Sequence, residues 1–142
     1  MGILAGLFGR KAGRAPLDPA GAAAASIAAR SAQLEPFVRK VHVPLELVPA
    51  ADAVYAYLGK PPGDFGMAWF EGGREASFAT LKEKEGVSQG RIQALAARLG
   101  AAYKKHGGAE RYTATIAGKE VLVNPSEPLA AAIRKAIDEA VS

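Results

Sequence analysis

At 142 residues, 49% of them hydrophobic and 23% charged, the chain has the size and composition of one globular domain with its own core. The absence of cysteine excludes disulfides, thiolate catalysis and cysteine-held zinc or iron–sulfur sites, and fits a reducing, cytoplasmic setting; two histidines are too few for a histidine-rich metal site. A net charge of +4 suits nucleic acid, anionic lipid or an acidic protein partner without selecting among them, and no apolar run is long enough to span a bilayer.

Residues 1–16 read as a flexible tail in which an apolar run over 1–9 precedes Arg10, Lys11 and Arg14. The order is wrong for a secretory signal, which puts its charge first, and Gly6 stands where a myristoylation signal wants Ser or Thr. On a helix, Ile3, Leu4, Leu7 and Phe8 share one face, a pattern for weak membrane-surface contact through residues 1–14 or for a docking peptide. Gly2, Gly6 and Gly9 oppose that helix, so a frayed tail with three solvated charges is the preferred expectation.

Residues 17–142 read as a single domain, with 17–60 as an accessory segment and 65–142 as its core. Asp18-Pro19 predicts a helix start, and the alanine-rich stretch from Ala20 to Leu34 is expected to be helical, ending before Pro36. Such a helix carries few large side chains and is a candidate dimer contact. Alternation predicts an extended segment from Phe37 to Leu47, broken near Pro44. A short helix is expected over residues 50–58, then a Gly/Pro loop.

The core segment reads as two similar units, each a tight hairpin followed by an amphipathic helix. The first hairpin turns at Gly72-Gly73, pairing Glu71 with Arg74, Trp69 with Ala76 and Met67 with Phe78. Its helix, about 88–106, lines up Ile92, Leu95, Leu99 and Tyr103. The second turns at Ala117-Gly118 or Gly118-Lys119, and its helix starts near Ser126 and buries Leu129, Ile133, Ile137 and Val141. The fold class is therefore α+β: an antiparallel sheet from two hairpin–helix units with helices on one face, preceded by a helix–strand–helix segment.

Chemistry is harder to find. Arg91, Arg98 and Lys105 recur every seven residues and form a stripe that can track phosphates or acidic groups, although a solvated helix face explains them as well. Residues 81–95 resemble a repressor-type helix-turn-helix, with Gly86 in the turn and Ser88, Gln89 and Arg91 leading the recognition helix. They depart from that motif at Lys82 and Glu85, and the motif needs helix where the hairpin needs strand; the hairpin is preferred. His106 sits where a helix ends and is read as a dipole partner rather than a catalytic base. His42 is read as an edge residue. No P-loop, dinucleotide fingerprint or nucleophile elbow is present, and no catalytic residue, metal or cofactor is assigned. Phe70, pointing away from Trp69, forms with Tyr55 and Tyr57 the candidate apolar patch for a protein partner.

The expectation is a non-catalytic protein-interaction or ligand-binding module, self-associating as a homodimer, with the tail as a recruitment aid. The alternatives are a DNA-binding regulator using residues 78–98, and a small enzyme with its site between the halves or between subunits.

Overall fold

The computed structural model describes residues 14–142, so the readings of residues 1–13 lie outside the described residues. Among the described residues, five helices and six strands follow in order: α1 (Ala22–Ala29), α2 (Ser31–Lys40), β1 (Leu45–Pro49), β2 (Ala53–Gly59), β3 (Phe65–Glu71), β4 (Arg74–Ser77), α3 (Phe78–Lys84), α4 (Gln89–Lys105), β5 (Tyr112–Ile116), β6 (Lys119–Val123) and α5 (Glu127–Val141). The class is α+β, built on one mixed sheet ordered β4-β3-β2-β1-β6-β5. All neighbours are antiparallel except β1 and β6, which run parallel through Glu46↔Leu122 and Leu47↔Val123.

Both hairpins turn where expected. Gly72 and Gly73 take φ of 58° and 77°, and Ala117 and Gly118 take 52° and 78°, the positive pairs that match a two-residue turn to strand twist. Glu71↔Arg74 and Trp69↔Ala76 pair as the alternation predicts, but Phe78 does not reach Met67. At Ser77 the strand becomes a helix: Ser77 Oγ accepts from the Thr80 N–H, and Thr80 Oγ1 accepts from the Ser77 N–H. That reciprocal cap satisfies two otherwise orphaned donors and stops β4 after four residues.

The largest departures fall in residues 31–59. Pro36 does not end a helix but lies inside α2. An interior proline costs about 3 kcal/mol. Leu34 and Val38, on the same helix, are 0% and 1% exposed, and burying side chains of that size contributes about 1.5–3 kcal/mol each. Burial outweighs the lost bond. The expected helix over 50–58 is instead β2, with Ala53 to Tyr57 all buried. A central strand covered on both faces shows no polar alternation, so its Val54, Tyr55 and Leu58 mimic helical spacing. The accessory segment thus supplies β1 and β2, which stand between the two hairpin–helix units, and the sheet is mixed rather than wholly antiparallel.

Two cores result. Met67, Trp69, Tyr55, Tyr57, Leu95, Leu99, Leu129 and Ile133 fill the face under α3, α4 and α5, where the helices of both units lie together. Ile27, Leu34, Val38, Leu47, Val54 and Phe70 fill the opposite face under α1 and α2. The expected stripes of α4 and α5 are buried, apart from Tyr103, which is half-buried, and Val141, which is 44% exposed. Tyr57 donates to the Leu99 carbonyl at 2.9 Å, locking β2 to α4. Gly100 lets the 60–64 loop approach α4, since a Cβ there would lie 3.1 Å from the Pro62 carbonyl oxygen. No helix among the described residues is long and apolar enough to cross a membrane.

Candidate binding cleft

At one end of the sheet, α1 on one face approaches the start of α5 on the other. Between them lies a cleft of about 770 Å³, within the range of ligand sites. Its lining is rich in small residues because the sequence makes it so: Ala22, Ala23, Ala50, Ala51, Ala130 and Ala131 all line it. Alanine at these positions leaves a groove where larger side chains would interdigitate. Ser26 pins the α1 wall by donating to the Ala50 carbonyl. Asp18 takes the Ala20 N–H at 2.9 Å and closes the turn ahead of α1, and Ser126 caps α5 through the Leu129 N–H.

Among the described residues, the rim carries Asp18, Asp52 and Glu127 against one cation, Arg134. Arg134 is already engaged: its guanidinium bonds both Glu71 oxygens at 3.0 and 2.8 Å and Asp52 at 3.2 Å, and lies 5.9 Å from the centre of the Tyr55 ring. The Glu71 hydrogen bonds, outweighing partial burial, hold Arg134 above its ordinary value. Burial pushes the Tyr55 hydroxyl up to about 12, with Arg134 pulling the other way. The described residues of the rim are therefore net acidic. An adjoining opening adds Glu110 and shares Tyr112, Glu127 and Ala131.

Pro16 and Leu17 form one wall of this cleft and also border a second, about 550 Å³, between α1, α2 and β5. They are fixed there by strand-like bonding to β5: Leu17 donates to the Thr113 carbonyl at 2.7 Å, and Thr113 donates to the Ala15 carbonyl at 3.0 Å. Residues 15 and 16, expected within a flexible tail, are part of the sheet edge.

The residues singled out from sequence are placed elsewhere. Phe70, Tyr55 and Tyr57 do not form a surface patch: they are 0%, 1% and 0% exposed. β2 is central rather than helical, so Tyr55 and Tyr57 enter one core and Phe70 the other, where it meets Phe37 edge-on at 5.1 Å. Tyr55 alone borders the cleft. Nor is the Arg91, Arg98 and Lys105 stripe a continuous free surface. Arg91 donates to the Ala140 carbonyl at 3.3 Å and Arg98 pairs with Glu139, so both close the end of α5; Lys105 is exposed. His106 is the half-buried C-cap of α4, and His42 is exposed in the loop after α2. Among the described residues, no group of three or more His, Asp or Glu side chains is placed to hold a metal ion.

The helix-turn-helix segment gives a different result. α3 and α4 are joined by a turn in which Gly86 has φ of 69°, with Leu81, Val87 and Ile92 buried. Lys82 and Glu85 face solvent, and Ser88, Gln89, Gly90 and Arg91 are exposed at the start of α4. Hairpin and helical turn coexist because β4 is short.

A buried polar cluster was not legible. Glu46 accepts from Tyr103 at 2.6 Å, Arg111 at 3.0 Å and Asn124 at 3.1 Å, beside the parallel β1–β6 seam. Burial opposes the Arg111 charge, but Glu46 and Tyr103 outweigh it and raise its pKa. Burial and the Glu46 hydrogen bond raise that of Tyr103. The cluster opens on none of the three cavities and reads as a structural lock.

Comparison with protein-family models, curated proteins and solved structures finds no match to this chain.

Proposed function

We propose that this chain is a non-catalytic protein-interaction module whose α1–α5 cleft receives a polypeptide segment that is both apolar and basic. The observation that carries this reading is an alanine-rich lining shared with Asp18, Asp52 and Glu127, with Arg134 already held by Glu71 and Asp52. Apolar side chains gain from leaving water against such a lining, and cations are drawn to the surplus carboxylates. A cytoplasmic setting goes with the cysteine-free composition.

The test is a nitrogen-15 NMR titration with a short synthetic peptide of leucine, lysine and arginine. It is run on the chain and on its Leu7→Asp/Phe8→Asp form, so that a cleft engaged by the chain's own residues is not mistaken for an inert one. Shifts at Ala51, Ala131 and Arg134 in either form, weakened by salt and lost in a folded Ala131→Phe variant, are expected. No response in both forms would overturn the reading.

A second reading, nucleic-acid binding through α3 and α4, is favoured by one observation: the exposed Ser88–Arg91 start of α4 follows a helical turn at Gly86. Salt-dependent binding of a labelled DNA duplex, lost in Gln89→Glu, would put this reading first; an unchanged anisotropy would remove it.

A further inference from the structure

Resting on the cleft reading, we propose that its occupant is the chain's own segment of residues 1–13, docked on the same copy, so that an outside partner must displace it. The chemistry is complementary. This segment offers Ile3, Leu4, Leu7 and Phe8, then Arg10 and Lys11, and no acid precedes Asp18. The cleft offers an alanine-rich lining and the carboxylates of Asp18, Asp52 and Glu127, with Glu110 in the adjoining opening.

The position is also right. The described residues begin at Arg14, and the Leu17–Thr113 and Thr113–Ala15 bonds hold the next residues against β5. Pro16, Leu17 and Tyr112 all line the cleft, so residue 14 is held beside it. Phe8 is six residues from Arg14, a reach of about 20 Å when extended. A segment tethered this closely acts at an effective concentration in the millimolar range, so modest contacts suffice for occupancy. Displacement then sets a threshold that an external partner must exceed.

The absence of cysteine makes the test direct, because Ala5→Cys takes a single nitroxide label on the full chain. Amides of Ala23, Ala51 and Ala131 are expected to lose more than half of their peak intensity, while those of Lys84 and Glu85 keep theirs. Adding Leu7→Asp and Phe8→Asp is expected to restore the lost peaks. Persistent broadening in that variant would overturn apolar docking. In a mixture of labelled nitrogen-14 chain with unlabelled nitrogen-15 chain, broadening would place the segment on a second copy and overturn docking in cis. No broadening, with the chain instead binding phosphatidylglycerol vesicles, would assign the segment to a membrane surface. If broadening is absent while the synthetic peptide still shifts the cleft amides, this inference fails and the cleft reading stands; if both are absent, both fall.

Discussion

Two arginine–carboxylate networks in this molecule use the same groups to different ends. Arg111 and Glu46 meet at the parallel seam with side chains 10% and 8% exposed, and Tyr103 and Asn124 complete the carboxylate's partners. Arg134 meets Glu71 and Asp52 at the cleft rim, where the three side chains are 30%, 41% and 69% exposed. Burial makes the first pair costly to break, because either partner alone would be an uncompensated charge out of water. Exposure makes the second weak in stability, screened by salt, and free to shape what the cleft attracts. The chemistry of a salt bridge says little about its role until its solvent is known.

The comparison breaks most visibly at Glu46. Glu46→Leu is expected to cost about 3–5 kcal/mol in urea unfolding, because Arg111 is left buried and unpaired. The double variant Glu46→Leu/Arg111→Met is expected to cost less than the single one; equal or greater cost would show that the seam needs the ion pair itself. The tyrosines probe the same two regions by pH. Burial is the main cause that raises Tyr55 beside the rim to about 12, and it raises Tyr57 and Tyr103 near the seam as well. A raised folded value favours the neutral phenol. Its contribution to stability is whole below about pH 10, where the unfolded tyrosine titrates, and is lost as pH climbs towards the folded value. Tyrosinate absorbance is therefore expected to lag behind free tyrosine and to rise together with alkaline unfolding.

Smaller effects sharpen the contrast. Arg134→Met is expected to cost within about 1 kcal/mol, yet to tighten a leucine–lysine–arginine peptide in the titration by freeing Glu71 and Asp52. Weaker binding would mean that Arg134 organises the cleft rather than neutralising it. Least of all, Arg98→Ala, which removes an exposed pair to Glu139, is expected to cost about 0.2–1 kcal/mol and to vanish at high salt.

Much of the local structure was legible. Gly72-Gly73, one of the two candidate turns at Ala117-Gly118, and the stripes of α4 and α5 all stand where turn chemistry and helical period put them. The strand β2 was misread because burial on both faces erases the alternation that marks a strand, and Pro36 was overruled by Leu34 and Val38. The candidate site was less legible. Tyr55 borders the cleft, but as a core residue, while Arg134, Asp52 and Glu127 carried no local signal. The alanine runs in α1 and α5 were the available clue, since small residues on helices leave room.

What the sequence determines by itself is therefore what neighbouring residues settle among themselves: turns with positive φ, caps, and the apolar face of an amphipathic helix. The tertiary structure decided which hairpin lies at the centre of the sheet, the parallel seam that buries Glu46, and the cleft. Those depend on side chains far apart in the chain, such as Ala23 and Ala131, sharing one space, and no local period carries that information.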